Sequence, residues 1–148
     1  MSDLRELYQE VVIDHGRRPR NFRVLAPVTH HAEGFNPLCG DRLTLYLNVR
    51  DGVIQDAGFQ GSGCAISTAS ASLMTEHLKG KTPAEATAVF RQFHSLMTDE
   101  GKAGSDKLGK LTVLSGVKEF PIRVKCATLA WHTLQAALEN QSQPVSTE

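Results

Sequence analysis

Arg42-Leu43-Thr44-Leu45-Tyr46-Leu47-Asn48-Val49-Arg50-Asp51-Gly52-Val53-Ile54 is the stretch on which the fold turns. Leu43, Leu45, Leu47 and Val49 alternate with Arg42, Thr44, Tyr46 and Asn48, which is the period of a strand with one buried face. Asp51-Gly52 follows at once, and these are the residues that tolerate the two positive φ angles of a type I′ turn. The chain therefore reverses, and 53–60 is predicted to return as the next strand. Upstream, 28–34 is expected as a first strand on weaker alternation. The front third thus reads as an antiparallel meander of about three strands, one face of which needs a cover.

Helices supply that cover. Leu4, Leu7, Tyr8, Val11 and Val12 recur at helical spacing, with Asp3 and Glu6 as a capping pair and Gly16 as the stop. After the meander, 65–79 is predicted as a small-residue helix with Ile66, Ala69, Leu73, Met74 and His77 inward, ended by Gly80. Thr82, Pro83 and Glu85 spell an N-cap, a first-turn proline and a capping box. The stripe behind them is Ala86, Val89, Phe90, Phe93 and Met97. The polar stretch 98–110 reads as a loop. Leu111, Leu114 and Val117 suggest a short helix broken at Pro121, and the last helix is expected over 124–139. The order of elements predicts an α+β domain: a small antiparallel sheet of about three strands with helices packed over one face.

Composition agrees with one such domain, expected over 1–140, followed by a polar tail over 141–148 expected to be disordered. The chain has 148 residues, 41% hydrophobic and 22% charged, in the range of an ordinary soluble domain. Sixteen basic and sixteen acidic residues cancel, which excludes the broad basic field of a nucleic-acid binder. No apolar run reaches membrane-spanning length. The charged start Met1-Ser2-Asp3-Leu4-Arg5-Glu6 does not read as a signal peptide. Three cysteines suit reduced thiols and a cytoplasmic setting better than a disulfide framework. The basic turn Arg17-Arg18-Pro19-Arg20 is either a solvated connector or a docking patch for an acidic partner.

The chemistry sits at the cysteines. A single cysteine is ordinarily a small buried hydrophobe, and Cys126 falls on the apolar stripe of its helix. Three features point elsewhere. Cys39 and Asp41 flank Gly40, and in an extended segment such neighbours face one side. Cys64 follows Gly61-Ser62-Gly63 and opens a helix, whose N-terminal field favours thiolate. Cys126 is expected near a helix start, after Pro121 and beside Lys125. Three thiolates and one carboxylate make a tetrahedral zinc set, and they also match the ligands of iron–sulfur chemistry. No Cys-x-x-Cys pair is present, so spacing alone leaves metal binding open. His30, His31, His77, His94 and His132 lack a neighbouring ligand in sequence and are expected to be structural or exposed.

Asn36-Pro37-Leu38-Cys39-Gly40-Asp41, Gly61-Ser62-Gly63-Cys64-Ala65-Ile66-Ser67 and 123–131 around Cys126 resemble the three cysteine motifs of the IscU/NifU-N family of iron–sulfur cluster assembly proteins. Asp14-His15-Gly16 and Pro19-Arg20-Asn21 are similar to that family's opening helix and turn. The resemblance runs from about residue 4 to residue 139. It is closest to the SufU branch. Scaffold-type IscU proteins carry a histidine where this chain has Lys125. Their Leu-Pro-Pro-Val-Lys segment corresponds here to Glu119-Phe120-Pro121-Ile122-Arg123. The stretch 98–110 looks like the extra segment of SufU proteins.

That resemblance implies a function. The ligands of a bound Zn2+ would be Cys39, Asp41, Cys64 and Cys126. The role implied is acceptance of persulfide sulfur from a SufS-type cysteine desulfurase, with a downstream SufBCD-type cluster assembly complex. The chain would then be a zinc-dependent sulfurtransferase acting as a relay partner rather than a stand-alone enzyme. Cys39, on a glycine-flanked loop, would be the sulfur acceptor, freed when a histidine of the desulfurase takes its place on the metal. Arg123 and Lys125 would steer or dock the partner. The competing readings are a scaffold holding an iron–sulfur cluster transiently and a purely structural zinc domain.

Overall fold

The computed structural model describes residues 2–37, 40–98, 111, 114, 116, 117, 120–139, 145 and 146, with backbone alone at 2–5, 98, 145 and 146. Three antiparallel strands form the frame: β1 (His30–Asn36), β2 (Asp41–Arg50) and β3 (Val53–Ser62). The predicted turn is present, with Asp51 at φ 56° and Gly52 at φ 73°. β1 starts two residues later than the weak alternation suggested. Val145–Ser146, within the segment expected as a tail, pairs parallel with Gly34 and Phe35 as a two-residue β4. The sheet order is β3-β2-β1-β4.

One face of this sheet is apolar. Ala32, Leu43, Leu45, Leu47, Ile54, Ala57 and Phe59 are all buried on it, as period-two patterning requires. Helices α2 (Ala65–Leu78) and α4 (Pro121–Leu138) cover it, α2 against β3 and α4 against β1 and β2. Helices α1 (Ser2–Arg17) and α3 (Pro83–Thr98) pack on α2 and α4 respectively. Trp131 of α4 is fully buried and stacks on Phe93 of α3, ring centroids 4.8 Å apart. The α3 capping box forms as predicted. The Thr82 N–H donates to Glu85 Oε1 at 2.9 Å, and the Glu85 N–H donates to Thr82 Oγ1 at 3.1 Å.

Two expectations need correction. Periodicity puts Leu7 on the buried stripe of α1, yet it is 45% exposed. The helix is instead anchored by its C-terminal end. His15 is buried there with Nδ1 2.7 Å from Ser72 Oγ, and Gly16 lies against Ala65, where a Cβ would come within 3.2 Å of the alanine's own. The second correction concerns Pro121, expected to break a helix. It opens α4, three residues ahead of the predicted start. A proline at the first helical position loses nothing, because its missing N–H has no partner in the first turn. Of the short helix expected after 110, Leu111, Leu114, Gly116 and Val117 are in 3-10 conformation, and the remaining residues of that stretch lie outside the described set.

Outside the sheet, residues 21–25 form a strap over β3. The Phe59 N–H donates to Asn21 O at 3.0 Å, and Leu25 is buried against Gly58. Asp56 ties the strap down through Arg23 at 3.0 Å, with Lys79 at 3.4 Å. Burial pushes the Asp56 carboxyl up, but the hydrogen bonds from Arg23 and the Ala57 N–H, with the charges of Arg23 and Lys79, hold it below the usual value.

Candidate metal centre

β1 and β2 bring two polar residues to one buried corner. Asn36 ends β1, Asp41 begins β2, and the two are paired across the ladder. Both occupy the inward phase of their strands, and both are 0% exposed. A buried carboxylate is costly unless its oxygens are satisfied. Here Oδ1 accepts from the Cys64 N–H at 2.9 Å and Oδ2 accepts from Asn36 Nδ2 at 3.1 Å. Gly63 makes the first of these bonds possible. A Cβ at that position would overlap Asp41 Oδ1, and glycine is the one residue without it.

Cys64 is the N-cap of α2, as expected of a cysteine that opens a helix. Its backbone is extended (φ −74°, ψ 166°), and its Sγ accepts from the Ser67 N–H at 3.4 Å. The thiol therefore takes the capping position that Ser or Asp usually fills, inside the positive field of the helix end.

Cys126 comes from α4. It is 0% exposed. Because α4 begins at Pro121, Cys126 lies in the second turn. The N-terminal field fades beyond the first turn, so it reaches Cys64 and not Cys126. What Cys126 has instead is Asn36, whose Nδ2 lies 3.5 Å from its Sγ. Gly34 lets α4 approach the sheet so closely. A Cβ there would overlap Thr133 Oγ1 and meet Leu129 Cδ1 at 3.1 Å.

The result is a cluster drawn from three elements. One ligand atom from each of Asp41, Cys64 and Cys126 lies within 4.8 Å of the others. Among the described residues no other group of three or more such side chains converges in this way. Two sulfurs and a carboxylate oxygen are the donor types that structural zinc takes, and sulfur ligation also suits iron–sulfur clusters. Cys39 lies outside the described residues. Arg123 and Lys125 lie on the first two turns of α4, Arg123 exposed and Lys125 half-buried. No histidine joins the cluster among the described residues. His30, expected to be structural or exposed, bonds Thr29 Oγ1 through Nδ1 at 2.9 Å, while His94 and His132 stand against Phe90 with ring centroids 5.9 Å apart.

Sequence reasoning missed Asn36 as part of the site. Its signal was present: Ala32, Gly34 and Asn36 share the inward phase of β1, and a polar residue on that phase requires a buried partner. Nearby on the outer face, the Arg42 guanidinium sits 5.0 Å over the Phe35 ring, a cation–π contact beside the same corner.

Comparison with known proteins gives relatives along most of the chain. The NifU-like N terminal domain family matches residues 7–127. The zinc-dependent sulfurtransferase SufU of Bacillus subtilis (strain 168) is 39% identical over 140 residues, 95% of this chain and 95% of the relative. The iron–sulfur cluster assembly scaffold protein IscU of Thermotoga maritima is 41% identical over 138 residues, 93% of this chain and 96% of the relative. Among solved structures, a candidate cluster assembly scaffold protein for the SUF system from Fervidobacterium islandicum AW-1 superposes with a TM-score of 0.84. It is 34% identical, and the match covers 90% of this chain and 97% of that one.

Proposed function

We propose for this chain, which belongs to the IscU/NifU-N family of iron–sulfur cluster assembly proteins, the role of a zinc-dependent acceptor of persulfide sulfur from a SufS-type cysteine desulfurase. The observation that carries this reading is the convergence of Asp41, Cys64 and Cys126 within 4.8 Å at a buried corner, with Cys39 two residues before Asp41 in sequence. Cys39 is the fourth ligand in this reading. Bound zinc keeps thiols deprotonated and has no redox chemistry of its own. The identity of 39% to a SufU protein supports zinc over other metals.

Of the three thiols, Cys39 is the one suited to carry sulfur. Cys64 caps α2 and Cys126 is buried within α4, so each is held by a helix. Cys39 belongs by sequence to a turn. Its thiolate attacks the terminal sulfur of the desulfurase persulfide. The new sulfur–sulfur bond forms at Cys39, the old one breaks, and the desulfurase cysteine leaves as thiolate. In this reading Arg123, exposed on α4 and one turn ahead of Cys126, docks or steers the partner, with Lys125 nearby. The sulfur then passes to a SufBCD-type complex in the cytoplasm.

A second reading has its own support. The relative at 41% identity is a cluster assembly scaffold, and the same thiols suit iron. Desulfurase turnover decides between them, measured with the zinc-loaded chain and with a Cys39→Ala variant. Stimulation by the first and none by the second is expected. No stimulation by the intact chain, together with iron–sulfur absorbance of the protein as isolated, would favour the scaffold.

A further inference from the structure

The geometry points to Asn36 as a positioning residue that orients Asp41 and marks Cys126 as a retained ligand; this rests on the metal-binding reading above. The amide occupies the centre of the buried corner and is itself 0% exposed. Its Nδ2 faces Asp41 Oδ2 at 3.1 Å and Cys126 Sγ at 3.5 Å. Both neighbours are acceptors, so the nitrogen and not the oxygen of the amide must face them. One NH2 group has two hydrogens, enough to serve both.

The two bonds do different things. The bond to Oδ2, with the Cys64 N–H on Oδ1, pins the Asp41 carboxylate at both oxygens. A carboxylate oxygen accepts more than one partner, so ligation remains open to it. The pinned group is thereby held at one orientation towards the two sulfurs. The bond to Cys126 Sγ draws electron density from the sulfur. That lowers the nucleophilicity of the sulfur. Cys126 is thus held as a ligand and kept from competing with Cys39 for sulfur. Cys64 has a comparable restraint in the Ser67 N–H.

The test uses the full chain, with Zn2+ and Co2+ as probes. Asn36→Leu keeps the branched shape and the number of side-chain heavy atoms, adds some bulk, and removes the donor. Asn36→Ala removes the donor without adding bulk, so the pair guards against a packing failure in either. Circular dichroism of each metal-free variant establishes that it folds. Competition with a chromogenic chelator then measures Zn2+ affinity, expected to fall about ten- to a hundredfold. The sulfur-to-cobalt charge-transfer band of the Co2+-loaded protein should move to longer wavelength, because the sulfur loses its hydrogen bond. A role in packing alone would leave that band in place. A folded variant that binds Zn2+ within threefold of the parent, with an unmoved band, overturns the role of Asn36 while leaving the metal centre standing. A parent chain that binds neither ion overturns both.

Discussion

Replacing Gly63 with alanine tests how the site is built. Gly63 does not lie in the left-handed region, unlike Gly40, Gly52, Gly61 and Gly80, so its backbone would accept alanine. What forbids it is space: the new Cβ would overlap Asp41 Oδ1. The carboxylate has to swing away and lose the 2.9 Å bond from the Cys64 N–H. A hydrogen bond to a charged group contributes about 1.5–3 kcal/mol. Alanine returns about 0.4–1 kcal/mol by restricting the unfolded chain. The net loss is about 0.5–2.6 kcal/mol, or roughly 1–10 °C in melting temperature for a domain of this size. Zinc affinity should fall as well, about ten- to a hundredfold, since the displaced group is a ligand in the proposed site. Gly52→Ala is the control. Nothing lies within 4 Å of its added Cβ, so it strains only the turn at φ 73° and should leave zinc affinity unchanged. Thermal melts and chelator competition read both quantities. The decisive comparison repeats Gly63→Ala in an Asp41→Gly background, where Oδ1, Cγ and Cβ, the three atoms the new Cβ would meet, are all gone. If Gly63→Ala costs as much stability there as in the parent, the steric argument fails.

Three other perturbations have defined outcomes. His132 has its pKa held below the ordinary 6.5 by burial first and then by the charge of His94. The unfolded chain therefore binds a proton that the folded chain resists, and stability falls as pH drops through 6.5 towards the folded value. Melting temperature measured from pH 8 to pH 5 should show this decline, and His132→Gln should flatten it; an equal slope in both would refute the assignment. Thr82→Ala removes half of the reciprocal cap on α3 and should cost about 1 kcal/mol. Glu85→Ala in the same chain should add little more, because the two bonds form one box. Stripping zinc from the zinc-loaded chain with a chelator should lower the melting temperature while far-ultraviolet circular dichroism keeps its helical signal, since most of the core, from Trp131 and Phe93 to the apolar sheet face, consists of side chains that bind no metal. An unchanged melting temperature would mean that the metal adds no stability.

Much of the fold was legible because it rests on local rules. The alternation from Leu43 to Val49, the Asp51-Gly52 turn and the Thr82–Glu85 box each report an interaction among residues close in sequence. The differences fall where a local rule is overridden by a distant partner or where one residue type serves two local rules. Periodicity puts Leu7 inward, but His15 and Gly16 set how α1 lies on α2. Pro121 was read as a stop, although the same residue is favourable one step inside a helix start. The cysteine motifs named Asp41, Cys64 and Cys126, and the structure brings those three together.

By itself, the sequence determined the identity of the ligand types, the hairpin that carries Asp41 and the helix start that carries Cys64. Tertiary structure decided that these meet. Asp41 and Cys64 are 23 residues apart, and Asn36 reaches Cys126 across 90. No local period encodes such distances. They follow from how near α4 and the β3–α2 junction can approach the end of β1. That approach is set at Gly34 and Gly63, where the absence of a Cβ admits Thr133 on one side and the Asp41 carboxylate on the other. The role of Asn36 likewise exists only once those surfaces have closed, because its two acceptors come from a strand and a helix that become neighbours only in the packed structure.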